Sequence, residues 1–519
     1  MTKTESRRRW AVLGTVCLAA FAINLDTTIV NVALPDLSRQ LRASTRDLQW
    51  IVDGYNLAFA ALVLTAGSLG DRFGRRPALL LGLGGFAAAS AVGAICSSAS
   101  ALVAVRFVMG AFAALIFPTT LSIITNAFPD RRERAKAVGV WGAVTGLGVA
   151  VGPVTGGLLL AHFWWGSVFL ALVPVAVGAL LLAVRLVPES SDPAQARLDA
   201  PGLVLSSAAI GLLVYTIIEA PGRGWGAPAS VVGYLGALAL GITFVLVEQR
   251  RRAPMLDVSL FRTPAFSAAS GAVTLAFFAL FGFIFLITQY MQFIRGWGTL
   301  STGARILPVA MSIAVGSVVG TLLATRVGTR VVVMSGLVLF GAGFTWIAVA
   351  PTYMSYSVIV LQMLMMGTGL GLTTAPATES ILSVLPAAKA GVGSAVNDAT
   401  REAGGTLGVA IIGSIFTSLF ARHLASTAAF HALPAATTAS AGASVGTAVH
   451  VAASAPAALH PDLVDAVAAS FTHGLHVACW VVAGVCWLGA VTASRLPGRG
   501  LRPVAEAEPE MVVDVAVAA

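Results

Sequence analysis

Several acids stand in stretches of sequence that are otherwise apolar, and an acid in such a place can take up and release protons. Asp26 lies inside the apolar run 10–34, next to Asn24, Leu25, Thr27, Thr28 and Asn31. A carboxylate near the middle of a hydrocarbon layer costs about 2.5–3.5 kcal/mol even on the lenient insertion scale, and it is tolerated only where it faces protein or water. Asp26 therefore needs a partner or a proton. Arg106, in the apolar run 101–128, stays charged and needs a nearby acid for the same reason. Both residues fall in the outer halves of their segments. Such a pair is either a fixed ion pair or one whose acid is released and recaptured as protons and substrate exchange. Asp398, Arg401 and Glu402 share one helical turn, about 10 Å inside the membrane at 1.5 Å per residue. Arg401 neutralises one of its neighbours and leaves about one acid uncompensated. That acid can hold a transportable proton, because burial disfavours a carboxylate. Asp53, in Trp50-Ile51-Val52-Asp53-Gly54-Tyr55, is a further candidate for proton coupling, whereas Glu219 and Glu379 sit near segment ends and are expected to be solvated.

The elements that carry these residues are helices. At 100° per residue Asn24, Thr28 and Asn31 share one face of the first helix, and Asp26 lies on another with Thr15, Ala19, Ala22 and Ala33. This helix is expected to be buried on two sides, with the three polar residues towards a cavity and Asp26 towards a closely packed neighbour.

The whole chain fits that picture. Of 519 residues 57% are hydrophobic and 11% charged, with a mean hydropathy of +0.87, whereas ordinary soluble domains carry about 25% charge. Apolar runs of membrane-crossing length recur, and we expect an all-α integral membrane protein with fourteen spans. Twelve of them form two six-helix halves, at 10–34, 50–70, 78–98, 101–128, 137–161 and 164–187, and at 265–291, 303–325, 331–350, 352–377, 391–421 and 472–494. Two more, at 201–220 and 228–248, lie between the halves. The domain plan is thus an N-terminal half 1–187, a linker 188–264 with two extra helices, a C-terminal half 265–494 with a long outside loop 422–471, and a cytoplasmic tail 495–519. No structure is expected in 422–471 beyond a short helix at 461–470.

The net charge of +9 does not point to nucleic acid, because the basic residues sit mainly in short loops on alternate sides. The positive-inside rule then places both termini in the cytoplasm. Lysine occurs only at positions 3, 136 and 389, which suggests a G+C-rich bacterial genome and hence a bacterial inner membrane. The first apolar run is too long for a signal peptide and lacks a small-residue cleavage site. Cys17, Cys96, Cys479 and Cys486 form no CxxC pair and read as packing residues. The aromatic group Phe277, Phe278, Phe281, Phe283 and Phe285 faces several directions and is expected to point mostly at lipid. Gly442-Ala443-Ser444-Val445-Gly446 spells G-x-S-x-G without the strand and helix a hydrolase needs. His473 and His476 are too few for a metal site. No Walker A motif is present, and neither an enzyme nor a cofactor is expected.

The two six-helix groups repeat. Arg72, Gly74 and Arg76 recur 254 positions on as Arg326, Gly328 and Arg330, and Gly110 and Pro129 recur at 257 as Gly367 and Pro386. Leu147, Gly148, Val149 and Ala150 recur at 260 as Leu407, Gly408, Val409 and Ala410. Near-constant offsets argue for parallel halves about a central axis, with substrate bound midway between them.

Four stretches carry a resemblance. Gly67, Leu69, Asp71, Arg72, Gly74, Arg75 and Arg76 end the second span in a tight basic turn opened by an acid, which can latch one of two bundle arrangements. This turn resembles the hallmark loop G-x-L-a-D-r-x-G-r-k of the major facilitator superfamily. Leu102, Arg106, Gly110 and Ala114 are similar to a second element of that family, although Met109 stands where glutamine is common. Gly148, Gly152, Pro153, Gly156 and Gly157 resemble the g-x-x-x-G-P-x-x-G-G element of its exporters. There the small residues admit a neighbouring helix and the proline bends the span. With Leu25, Asp26, Thr28 and the residues running to Pro35, the resemblance narrows to the fourteen-span drug:proton antiporters, the multidrug, antibiotic and antiseptic efflux transporters. Leu172 departs from the family's usual asparagine near the end of span six.

The resemblance implies a monomeric, proton-motive-force-driven exporter of small amphipathic molecules that works by alternating access in the lipid bilayer. An uptake symporter or a lipid or metabolite exporter on the same fold is the alternative.

Overall fold

A computed structural model describes residues 3–191, 199–251, 254, 256–383 and 390–496. Its membrane helices are α1 (Lys3–Gln40), α2 (Thr45–Phe73), α3 (Arg75–Ala94), α4 (Ala99–Ala127), α5 (Arg131–His162) and α6 (Ser167–Leu186). Two more follow, α7 (Ala200–Arg223) and α8 (Pro228–Arg250). The rest are α9 (Pro264–Gln289), α10 (Thr299–Val327), α11 (Thr329–Ala348), α12 (Tyr356–Ser383), α13 (Ala390–Ser426) and α14 (His460–Thr492). No strand occurs among the described residues. Among the described residues thirteen helices are long and apolar enough to cross a membrane. The 29 residues of α2 add about 44 Å at 1.5 Å per residue, so the arrangement is consistent with fourteen crossings.

Local chemistry sets the ends of these helices. Ser44 starts α2 with a capping box: its hydroxyl accepts from the Asp47 amide at 3.2 Å, and the Asp47 carboxylate accepts from the Ser44 amide at 3.0 Å. Gly74 joins α2 to α3 at φ 113°, and Gly328 joins α10 to α11 at φ 93°. A residue with a β-carbon is strained in that region, so each one-residue joint needs glycine. The 254-residue offset of the motifs is also the offset of the helices. Thr45–Phe73 and Thr299–Val327 have 29 residues each, and Arg75–Ala94 and Thr329–Ala348 have 20 each. Gly110 lets α4 sit against the Tyr55 carbonyl, and Gly367 lets α12 sit against the carbonyl of Val309, the residue 254 positions beyond Tyr55.

Helices α1–α6 pack into one group and α9–α14 into another, while α7 and α8 pair with each other and α7 leans on α2 and α13. Two seams join the groups, α2 with α13 and α5 with α10. The polar ties between the groups lie at the end of the bundle opposite the N-terminus, called the far end below. Gln49 of α2 donates to the carbonyls of Val409 and Ala410 at 3.2 and 3.1 Å and to the Ser414 hydroxyl at 3.2 Å. Gln292 donates to the Val32 carbonyl at 3.0 Å, and Thr299 to the Gly157 carbonyl at 3.3 Å. At the other end of α5, Gly139, Gly142 and Gly146 have open space where a side chain would stand. The bundle is closed at the far end.

The structure corrects three expectations. Residues 422–471 are largely helical: α13 runs on to Ser426, α14 begins at His460, and short helices at Ala428–His431, Ala435–Ala443 and Val445–Ser454 cap the far end. Alanine is the best helix former, and a hydropathy pattern cannot separate an alanine-rich helix from a loop. Phe430, Val445, Ala448 and Ala452 anchor this cap by burial, and the Ser444 hydroxyl meets that of Ser38 at 2.9 Å. The rings of α9 do not mostly face lipid, because α9 packs against α1, α12, α13 and α14: Phe278, Phe283 and Phe285 are buried, and Phe277 and Phe281 are half-buried. Glu219 is buried rather than solvated, with Arg46 at 2.7 Å and Arg223 at 3.5 Å. The tail beyond residue 496 and linker residues 192–198 lie outside the described residues.

Candidate functional site

The first acid has the partner the sequence asked for. Asp26, 0% exposed, accepts from Nη1 of Arg106, 1% exposed, at 2.8 Å to Oδ1 and 2.6 Å to Oδ2. Arg106 spends its Nε on the Ile51 carbonyl at 2.9 Å and lies 4.3 Å from the centre of the Tyr55 ring. The pair thus pins α1 to α4, with α2 as a third wall. Asp53 is fully buried, and neither of its oxygens has a hydrogen-bond partner among the described residues. An unpaired carboxylate there would carry a heavy desolvation cost, which a bound proton removes.

The second acidic group lies where the halves face each other. Asp398, Arg401 and Glu402 of α13 line a small cleft whose other walls are Ile23, Asn24 and Thr27 of α1, Phe59 of α2 and Phe117 of α4. Arg401 reaches Asp398 at 3.8 Å and stacks 4.4 Å from the Phe277 ring. One oxygen of Glu402, Oε2, has no hydrogen-bond partner among the described residues. One cation therefore serves two acids in a cleft with aromatic rings on the opposite wall. The cleft encloses only about 20 Å³, room for a proton or a water at the spare carboxylate; an organic cation with flat apolar surface against Phe59 and Phe117 fits there only once the helices part.

The three polar residues grouped on one face of α1 part company. Asn24 lines the cleft, with its amide bonded back to the Ala20 carbonyl at 2.9 Å. Thr28 instead sits in the seam with α5, where it donates to the Val149 carbonyl at 3.1 Å, and Asn31 turns to the Thr27 carbonyl of its own helix at 2.9 Å. The cleft takes Thr27 in their place.

The glycines of α5 divide between two neighbours. Gly148, Gly152 and Gly156 face α1 at Asn24, Thr28 and Ile29, where an added methyl group would have no room. Gly157 faces the backbone of Thr299 and Leu300 on α10, and the Pro153 carbonyl faces Gly303 of that helix. The helix runs unbroken through Pro153. So α5 touches α1 on one side and the other half on the second.

In the basic turn after α2, Arg76 reaches Glu189 at 3.3 Å and donates to the Val184 carbonyl at 2.6 Å. The Arg75 amide donates to the Ser190 carbonyl at 2.9 Å. The turn is therefore tied to the end of α6, within its own half. Arg72 lies 5.4 Å from the Phe73 ring, and Gly67 sits against Pro118 of α4. The side chain of Asp71 is outside the described residues.

Two participants escaped the sequence reading. Tyr55 is buried, its hydroxyl has no hydrogen-bond partner among the described residues, and it lies within electrostatic reach of Asp26, Arg106 and Glu402. Its ring packs on Arg106 beside the first acidic group, and its position two residues after Asp53 was the available signal. Gln49 ties the halves at the far end, and a glutamine four residues before Asp53 in an apolar helix was the corresponding sign.

Comparison with known proteins now adds to this geometry. The family model described as Major Facilitator Superfamily matches residues 16–409. The "Multidrug efflux pump LfrA" of Mycolicibacterium smegmatis is 36% identical over 474 residues, covering 91% of this chain and 93% of that protein. The "Tetracenomycin C resistance and export protein" of Streptomyces glaucescens is 33% identical over 408 residues, 78% of this chain and 76% of that protein. Among solved structures, a bacterial homolog to the human lysosomal transporter Spinster, in an inward-facing and unoccupied conformation, superposes with a TM-score of 0.64. It is 15% identical and covers 95% of this chain and 98% of that one.

Proposed function

Since the chain belongs to the major facilitator superfamily, we propose that it is a multi-pass bacterial inner-membrane exporter of amphipathic drugs, antibiotics or antiseptics, driven by exchange for protons. Its relatives along nearly the whole chain are efflux and resistance proteins, which supports export over uptake. Both termini are cytoplasmic in this reading, so the far end is the outside and the closed far end corresponds to an inward-facing state. The protein works as a monomer, needs no cofactor and performs transport rather than a chemical conversion.

The observation that carries the proposal is the cleft between the halves, where Asp398 and Glu402 share Arg401 opposite Phe59 and Phe117. A cationic substrate entering from the cytoplasm settles on the spare carboxylate and the rings. Once the halves rock, a proton from outside takes the carboxylate and the substrate leaves. Exchange follows because one carboxylate cannot hold both. Asp26 and Arg106 report the proton to the helix packing through Tyr55, and Asp53 holds a second exchangeable proton beside them. The α2–α3 turn, released from α6, is the latch of the alternative state. One proton falling through 100 mV supplies about 2.3 kcal/mol and a unit of pH about 1.4. Together they sustain a gradient of several hundred-fold for a neutral substrate, whereas a monovalent cation exchanged one for one moves no net charge and draws only on the pH term, about tenfold per unit.

The test uses everted vesicles energised to an acidic interior. Adding ethidium should release protons from wild-type vesicles and from none carrying Asp398→Asn with Glu402→Gln. An unchanged proton signal in the double variant would overturn the role of the cleft. Ethidium that moves only down its own gradient would overturn proton exchange.

A further inference from the structure

A second cavity, of about 670 Å³, opens at the far end, remote from the cleft. Its walls come from parts that must separate when that end opens: Arg46 of α2, Ile218 of α7, Ala421 of α13, and Phe430, Leu433 and Ala439 of the cap. The volume lies in the range of small-molecule sites, roughly 300–1,000 Å³. The lining is chiefly apolar and holds one permanently charged side chain, Arg46, and no acid. The nearby acids are engaged: Asp47 caps α2 through Ser44, and Glu219 is gripped by Arg46 Nε and by Arg223. Arg46 thus keeps its terminal donors for a ligand, and its side chain is 58% exposed.

We propose that this cavity binds an amphipathic anion, an apolar ring system bearing a sulfonate or carboxylate, and that the bound anion holds the far end shut. The ring lies against Ile218, Phe430 and Leu433 while the anion meets Arg46. A ligand that touches α2 and α13 together favours the state in which they touch, since it shifts the population towards the form it binds better. Bound from outside, it slows export without competing for the central cleft. The locking part rests on the alternating-access reading, whereas the binding part does not.

The probe is naphthalene-2-sulfonate, and two readouts separate the parts. Binding to purified protein in nanodiscs, without any gradient, should weaken at least tenfold in Ala439→Trp, which fills the cavity. In Arg46→Gln it should weaken at least tenfold for the sulfonate but less than twofold for neutral naphthalene-2-methanol. Added outside ethidium-loaded cells, the sulfonate should lower the maximal export rate and leave the apparent KM within twofold. Binding that is absent, or equal in wild type and both variants, overturns the site. Binding that leaves export untouched overturns the locking, and a raised KM at constant maximal rate places the anion in the cleft instead.

Discussion

Asp26 and Arg106 are each under 2% exposed and hold each other at 2.6 Å, so the loss of either partner strands a buried charge. Breaking such a pair costs about 3–5 kcal/mol. Asp26→Asn should lower the thermal stability of the purified protein by that order and stop export. Asp26→Asn with Arg106→Gln should recover much of the stability and none of the export. If export returned as well, the pair would be only a clasp. The cleft acids call for a different measurement, because the proposed exchange has cation and proton compete there for one carboxylate. Substrate affinity should rise with pH, since fewer protons compete at higher pH, and the slope should flatten in Glu402→Gln. Equilibrium binding of ethidium at each pH reads this directly. Sequence disclosed these acids because charge in an apolar run is costly enough to demand a reason. It also named Arg106 as the partner of Asp26. The split among Asn24, Thr28 and Asn31 was hidden: a helical wheel gives their shared face, but only packing decides that α5 covers Thr28 and leaves Asn24 to the cleft.

Helix α5 shows how residue spacing sorts the two packed faces of one element. Gly148, Gly152 and Gly156 seat it against α1 within one half, while Gly157 meets α10 across the seam. Substitutions on the two faces should therefore behave differently. Gly152→Val overfills the seam with Thr28, where overpacking costs about 1–3 kcal/mol, and should lower stability and export together. Gly157→Val should leave each half folded but push the halves apart at the far end, which would appear as faster labelling of a cysteine placed in that seam by an impermeant maleimide. The exporter element of the sequence predicted close packing here; that one glycine faces the other half became visible only once α10 was in place. The cap between α13 and α14 was the least legible element. Its alanine, serine and threonine composition carries no hydropathy signal, and its anchors, such as Phe430 and Val445, are single residues.

At the scale of the molecule, the two six-helix groups repeat each other in the lengths of their second and third helices and in the glycine contacts at Gly110 and Gly367, and the 254-residue offset was already present in the turns. The repeat was legible because a one-residue joint between two membrane helices needs a glycine at positive φ, so the joint leaves a fixed mark. The outer closure was not, since Gln49 gains its meaning only from the carbonyls of Val409 and Ala410 on a helix 360 residues away. Each neutral hydrogen bond contributes about 0.5–1.5 kcal/mol. Gln49→Ala should thus shift the population towards the open far end and speed maleimide labelling severalfold there. The account as a whole rests on one exchange, drug for proton, at acids shared between two rocking halves. Its most direct measurement is ethidium movement by purified protein in sealed liposomes under an imposed pH gradient with no other energy source. Wild type should concentrate ethidium on the acidic side, and a variant with Asp26→Asn and Asp398→Asn should not. Gradient-driven accumulation that survives in that variant at the wild-type rate would contradict the account.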